Sequence, residues 1–177
     1  LFRFSAAGTG HERSLTISRS TRSSRWQGYT RRTRRSVFLA GAACYTPLNE
    51  QPSYVHRSRQ FNISATAQVS ARTKQWVETI LGSAYASVED HSLSAASRRG
   101  NKITSVTRGT TRYAEPNMGF GEARTIHIIK TLEALPERSL IILEEPETSL
   151  HPSAQYQFGR FLVDVAVEKR HQVFLST

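Results

Sequence analysis

The chain has 177 residues, of which 38% are hydrophobic, with a mean hydropathy of −0.44 and a formal net charge of +10. This length suffices for one domain with a sizeable core, and no apolar run approaches the roughly 20 residues of a membrane-spanning helix. Cys44 is the only cysteine, which excludes an internal disulfide. A reducing, cytoplasmic location without membrane contact is therefore expected.

Positive charge is concentrated in the first part of the chain. Residues 1–113 hold 18 Lys and Arg against 5 Asp and Glu, whereas residues 114–177 hold 6 against 9. Within the basic part, one segment without acidic residues carries Arg19, Arg22, Arg25, Arg31, Arg32, Arg34 and Arg35. Such a cluster can bind the phosphates of DNA or RNA, or it can be a solvated segment that aids solubility. The charge pattern separates a basic part, residues 1–113, from a mildly acidic part, residues 114–177.

Strands and one helix are predicted in the basic part. Alternation over residues 14–18 predicts a half-buried strand that pairs with one near residues 26–29, and residues 36–40 form a more apolar strand. Apolar residues at helical spacing predict a helix over residues 66–81, which ends at Gly82.

The next segment is less informative. Residues 83–100 are rich in Ser and Ala and show no period, so His91 is predicted to be an exposed loop residue. Residues 102–106 and 110–113 are predicted to form a short hairpin.

A glycine-containing turn precedes the second predicted helix. Residues 117–122 hold Gly119 and Gly121 and lead into a helix over residues 123–135. Glycines at a helix start allow close approach to a ligand, and the first amides of the helix attract anions. Taken alone, two glycines in this place are most often only a turn.

The most specific stretch is residues 140–152, in which four apolar residues run into Glu144, Glu145 and Pro146. The apolar run predicts a strand buried on both faces in a parallel sheet, and the proline ends it at the glutamates. Ligands bind at this edge in open α/β sheets. Two adjacent carboxylates favour a cationic partner, and Mg²⁺ is the natural candidate.

A helix over residues 153–169 and a strand over residues 173–175 follow, which together with the preceding strand predict a βαβ unit. The predicted fold class is α/β. It is a mainly parallel sheet flanked by helices, with a short antiparallel β region.

This order of motifs resembles the C-terminal part of an ABC-type ATPase domain, a partial P-loop NTPase fold. Within that class it is most similar to the branch of OLD-family, RecF-like and SMC-like ATPases, which act in DNA repair and phage defence. The resemblance covers residues 117–177, and its specific part is Glu145, Pro146 and Glu147 followed by Leu150, His151 and Pro152. It implies ATP and Mg²⁺ as cofactors, ATP hydrolysis, a homodimer of ATPase heads, and an effector nuclease or another subunit as a partner.

The resemblance also implies roles for individual residues. Residues 140–145 would be the Walker B strand, with Glu144 directed to Mg²⁺ and Glu145 as the general base. The signature loop, which contacts the γ-phosphate held by the opposite subunit, would comprise Met118, Gly119, Gly121 and Glu122. Residues 148–151, with His151, would be the D-loop at the dimer interface.

The sequence departs from the family pattern in three places. Glu144 stands where an aspartate is usual, and Gly119 stands where many signature loops have a serine. No Gly-x-x-x-x-Gly-Lys-Ser/Thr motif occurs, and the switch histidine would follow Thr177. The resemblance therefore implies one incomplete domain that begins after the P-loop and is inactive by itself, with residues 1–113 as its basic N-terminal part and residues 114–177 as its α/β core.

Other interpretations remain open at the sequence level. His151 is more simply a cap of the turn before Pro152, and Glu147 is either a polar group of the site or a solvated residue. Glu122 and Arg124 could contact nucleotide or one another, and pairing on the helix surface is the simpler expectation. The alternative functions are a catalytically inactive nucleic-acid-binding module on an ATPase-like scaffold and a purely structural subunit.

Overall fold

The computed structural model describes the backbone of residues 2–6, 13–19, 26–27, 37–40, 62–94 and 102–176, with side chains for 62–93 and 102–176. The chain divides into two compact units, residues 1–34 and 35–177. In the first unit, β1 (Phe2–Ala6), β2 (Arg13–Arg19) and β3 (Trp26–Gln27) form an antiparallel sheet in that order. The pairing of β2 with β3 confirms the strand pair predicted there.

The second unit contains a four-stranded antiparallel sheet. Its strands, in spatial order, are β5 (Asn62–Gln68), β6 (Ser87–Ser94), β7 (Lys102–Arg108) and β8 (Thr111–Ala114). The predicted hairpin is confirmed, because β7 and β8 pair around a turn at Gly109, whose φ of 60° suits glycine. The exposed loop predicted at His91 is wrong, since His91 lies in β6 and is 3% exposed.

Three helices belong to the same unit: α1 (Ala71–Leu81), α2 (Phe120–Ala134) and α3 (Pro152–Lys169). Helix α1 starts later than predicted because residues 62–68 are held in β5 by pairing with β6. Ser70 caps its first turn by accepting a hydrogen bond from the Thr73 amide, and Gly82 ends it as predicted. A short 3-10 helix, Glu115–Asn117, precedes α2.

The third sheet is parallel and carries the predicted βαβ unit. Its order is β10 (Gln172–Ser176), β9 (Leu140–Glu144) and β4 (Val37–Ala40), so β9 is central. The prediction of a mainly parallel sheet is wrong for the described strands, in which five pairings are antiparallel and two are parallel. The antiparallel sheet is larger than predicted because β5 and β6, which are rich in polar residues, were not predicted as strands.

One hydrophobic core joins α1, α2 and α3 to β9 and to the antiparallel sheet. On β9, Ile141 and Leu143 are fully buried in this core. Ile142, on the other face, is 39% exposed, and its neighbour on β10, Phe174, is 61% exposed. Burial of β9 on both faces was predicted, but among the described residues only one face is covered. None of the described helices combines the length and the hydrophobicity of a membrane-spanning segment.

Candidate functional site

The carboxyl end of β9 presents two adjacent carboxylates. Glu144 is the last residue of the strand and Glu145 is the first beyond it, and both are exposed. Within the described part of the chain, the Glu144 carboxylate has no hydrogen-bond or ion-pair partner. The Thr148 hydroxyl donates to Oε2 of the Glu145 carboxylate at 3.5 Å. Both carboxylates are therefore available to a ligand.

The backbone changes direction at Glu145, whose φ of 45° lies in the left-handed region. For a residue other than glycine this conformation costs roughly 1–2 kcal/mol, so the surrounding structure must hold it. The Glu145 amide donates to the carbonyl of Ser176 on β10 at 2.7 Å, and the Glu145 carbonyl accepts from the Thr148 amide at 3.1 Å. Ser149, in the same turn, also has a positive φ, 72°. Such conformations concentrate at functional sites.

The start of α2 packs against this turn. Gly119 is the N-cap of α2 and makes no side-chain capping hydrogen bond, while Met118 is half-buried against the core. A Cβ atom built on Gly121 would overlap the carbonyl oxygen of Ser149 and lie 3.2 Å from its carbonyl carbon. Gly121 is therefore required by close backbone approach, and the structure brings the glycine turn to the segment that follows the two carboxylates.

Glu122, in the first turn of α2, is held from within the protein. Its Oε1 accepts hydrogen bonds from the hydroxyls of Tyr85, at 2.7 Å, and Tyr113, at 2.8 Å. Burial and the Glu122 carboxylate together raise the pKa of both tyrosines. The expected pair of Glu122 with Arg124 is not present, because Arg124 points into the core.

The sequence indicated that Arg124 could contact nucleotide or Glu122, but it did not reveal that this side chain is buried beside the two adjacent glutamates. It is 2% exposed, and its Nη2 donates to the backbone carbonyls of Glu144, at 3.0 Å, and Glu145, at 2.8 Å. Burial lowers the pKa of Arg124, while the charges of Glu147 and Glu145 act in the opposite direction. The sequence signal for this burial is the distribution of apolar residues around most of α2, which is typical of a helix with little exposed surface.

The segment between the carboxylates and α3 is tied down by local hydrogen bonds. The Leu150 amide donates to the Glu147 carbonyl at 3.0 Å, and Gln155 Nε2 donates to the Leu150 carbonyl at 3.0 Å. His151 is the N-cap of α3, with Nδ1 3.4 Å from the Ser153 amide nitrogen. The structure thus gives His151 the capping role. Glu147 is half-buried, and its Oε2 lacks a hydrogen-bond partner among the described residues.

The residues at this edge fit Mg²⁺ that arrives with a nucleotide. No group of three or more potential metal ligands occurs in the described part of the chain. Mg²⁺ is commonly bound by one or two carboxylates together with phosphate oxygens and water. Glu144 and Glu145 can supply that share, whereas they are too few to form a protein-only metal site.

The basic cluster is mostly outside the described residues. Arg19 is the last residue of β2, where its backbone pairs with Trp26, and only its backbone is described. The other six arginines of the cluster, from Arg22 to Arg35, and also Cys44, lie outside the described residues. Their proposed contacts with nucleic acid stay a prediction.

Comparison with known families decides the coarse identity. Residues 53–177, more than half of the chain, match the model of the AAA ATPase domain. The chain belongs to the AAA ATPase domain family. The match includes both the antiparallel sheet and the edge with Glu144 and Glu145. No curated protein and no solved structure matched.

Membership in the AAA ATPase domain family confirms the predicted ATPase domain and indicates an ATP-binding ATPase function. ATP with Mg²⁺ is the usual cofactor pair of such domains. The narrower branch, the dimer and the roles of individual residues stay predictions.

Proposed function

We propose that this AAA ATPase domain is of the ABC type, in the branch of OLD-family, RecF-like and SMC-like ATPases, and that it contributes the hydrolytic edge of the ATP site. The observation that carries the proposal is the placement of Glu144 and Glu145. Both are exposed at the carboxyl end of the central strand, beside a turn held by the glycine start of α2.

The left-handed turn supports separate tasks for the two carboxylates. Successive residues of a strand point to opposite faces, so a continued strand would direct Glu144 and Glu145 apart. The turn at Glu145 breaks that alternation. Glu144 would hold the Mg²⁺ that accompanies the phosphates, this ion would supply charge stabilisation, and Glu145 would orient water for in-line attack on the γ-phosphate.

The start of α2 supplies the other part of the proposal. The first amides of a helix are unpaired within it and favour an anion, and Gly119 leaves this end without a capping side chain. In the proposed homodimer, Met118, Gly119, Gly121 and Glu122 of one head face the γ-phosphate bound by the other, and His151 lies near the interface. Hydrolysis then controls a nucleic acid or an effector subunit, such as a nuclease, in DNA repair or phage defence.

The test is Glu145→Gln in the intact protein, because these 177 residues contain no P-loop motif. Removal of a general base lowers turnover by about 10²–10⁴-fold, while ATP binding is retained. Glu137→Gln is the control, since Glu137 is an exposed residue in the loop before β9. Steady-state hydrolysis and nucleotide binding are measured for both variants. Full turnover in Glu145→Gln would remove Glu145 from the mechanism.

A second proposal concerns the basic part of the chain. The excess of Lys and Arg in residues 1–113 favours contact with DNA or RNA. Binding to a labelled duplex across a salt series tests this, with and without ATP. Steep salt dependence without any ATP requirement would favour the catalytically inactive nucleic-acid-binding module. Absence of both binding and hydrolysis would favour a structural subunit.

A further inference from the structure

We infer that Arg124 is a positioning residue, which fixes the backbone of Glu145 from helix α2 and so sets the place of the proposed general base. This inference rests on the function proposed for Glu145. Arg124 acts through main-chain carbonyls, and it does not contact nucleotide. It adds a physical connection between the glycine start of α2 and the hydrolytic edge.

Arg124 contacts the backbone of the two residues whose carboxylates are proposed to act in hydrolysis. One nitrogen, Nη2, donates to the carbonyls of Glu144 and Glu145 at 3.0 and 2.8 Å. A charged donor forms stronger hydrogen bonds than a neutral one. These two bonds therefore hold the end of β9 and the first residue of the turn to one side chain of α2.

The Glu145 backbone needs such support. Its left-handed conformation is unfavourable for a glutamate, and the Glu145 carbonyl accepts from both Arg124 and the Thr148 amide. On the other side, the Glu145 amide donates to Ser176. Removal of the Arg124 bonds leaves the Glu145 carbonyl with one backbone donor, so Glu145 loses its hydrogen bond to α2.

Burial of the remaining polar atoms of the Arg124 side chain costs free energy of folding. Nε and Nη1 have no hydrogen-bond partner among the described residues, although Arg124 is 2% exposed. The guanidinium lies 5.8 Å from the centroid of the Phe120 ring, and the Glu147 charge favours its protonated form. Buried polar groups without partners destabilise a fold. The two hydrogen bonds to the Glu144 and Glu145 carbonyls offset part of this cost.

Helix α2 and the turn also pack closely at Gly121. Gly121 contacts the carbonyl of Ser149, so the first turn of α2 and the segment 145–149 are in contact at two places, one at Arg124 and one at Gly121. A displacement at the start of α2 is therefore passed to Glu145. This provides a route by which contacts made by the glycine turn affect hydrolysis.

The test compares Arg124→Lys, Glu145→Gln and the double variant in the intact protein. Lysine keeps the charge but lacks the planar fork of arginine, and misplacement of a catalytic group by about 1 Å can cost up to about 100-fold in rate. We expect Arg124→Lys to lower kcat about tenfold or more while the KM for ATP changes by less than about twofold. Arg160→Lys, on an exposed face of α3, is the matched control and should leave both constants unchanged.

The double variant separates positioning from general damage. If Arg124 acts through Glu145, Arg124→Lys changes the residual rate of Glu145→Gln by less than about twofold. An equal loss of rate in both backgrounds, or an unchanged kcat in Arg124→Lys, would overturn the inference and leave the proposed function intact. Full activity of Glu145→Gln would overturn both.

A second measurement does not depend on turnover. Amide hydrogen exchange should show faster exchange over residues 144–149 in Arg124→Gln than in the wild-type protein, while α3 and the antiparallel sheet keep their protection. Equal protection of this segment in both proteins would contradict the inference. General loss of protection would also contradict it, since Arg124 would then support the whole fold rather than this turn.

Discussion

In the second unit, acidic residues of the antiparallel sheet are paired with other side chains, whereas the acidic residues at the carboxyl end of the parallel sheet are exposed. On β6, Glu89 accepts hydrogen bonds from Gln68 and Arg112, both at 2.6 Å, and Asp90 is paired with Lys130. At the end of β9, Glu144 has no such partner among the described residues. Charges that stabilise a fold are paired within it, and charges kept for a ligand are left accessible.

The buried histidine of β6 extends the contrast. The ring nitrogens of His91 lie 2.8 Å from the Thr66 hydroxyl and 2.7 Å from the Ser105 hydroxyl. These contacts satisfy the ring inside the sheet and leave no group free for chemistry. The antiparallel sheet is therefore interpreted as a support, and the carboxyl edge of the parallel sheet as the place where a ligand acts.

The difference between the two sheets is tested most directly by neutralising one carboxylate in each. Glu144→Gln should lower ATP turnover by about 100-fold or more, because Mg²⁺ supplies several kcal/mol of charge stabilisation to phosphoryl transfer. Its free energy of unfolding should stay within about 0.5 kcal/mol of the wild-type value, as for other exposed substitutions. Turnover is measured over a Mg²⁺ series, and stability by urea unfolding.

Asp90→Asn is the matched variant in the antiparallel sheet. It leaves Lys130 without its counter-charge and should destabilise the protein by about 1–3 kcal/mol. Turnover by the folded fraction should be unchanged. Loss of stability in Glu144→Gln, or loss of turnover without loss of stability in Asp90→Asn, would show that the two sheets do not divide these roles.

A smaller effect is expected from Gly121→Ala, which tests the contact between α2 and the turn. The added methyl group meets the Ser149 carbonyl, and overpacking of this kind costs about 1–3 kcal/mol. Gly159→Ala, on α3, is the control, because a Cβ on Gly159 meets no atom within 4 Å. Thermal unfolding and ATP turnover are compared. Equal behaviour of the two variants would show that Gly121 is not required by packing.

Local signals explain what the sequence predicts well. The apolar run of β9, Pro146 after it, and Pro152 at the start of α3 fixed the βαβ unit and its two carboxylates. Gly82 and Gly109 marked a helix end and a hairpin because each adopts positive φ. These features depend on residues that are neighbours in the chain.

The features that sequence reasoning missed depend on distant partners. Strands β5 and β6 are polar, and their strand conformation follows from cross-strand pairs such as Thr66 with His91. Arg124 binds main-chain carbonyls, which every residue has, so no sequence pattern marks its partners. The position of the carboxylates was readable, whereas the side chain that holds their backbone was not.

The smallest expected effect is on the pH dependence of stability, and it concerns His171 at the amino-terminal edge of the parallel sheet. His171 Nδ1 accepts a hydrogen bond from the Ser139 amide at 3.1 Å, just before β10 and β9 begin. Burial lowers the pKa of His171, so the folded protein disfavours the protonated ring. The unfolded chain then binds more protons, and the stability that neutral His171 contributes is present above pH ~6.5 and is lost as pH falls through the folded pKa.

Urea unfolding at pH 7.5 and pH 5 should therefore show a larger loss of stability in the wild-type protein than in His171→Gln, because a glutamine at position 171 does not titrate in this range. His151→Gln, at the exposed start of α3, is the histidine-to-glutamine control. ATP turnover per folded molecule should be the same in His171→Gln as in the wild type. A loss of turnover at constant stability would mean that this edge, like the carboxylate edge, takes part in the reaction.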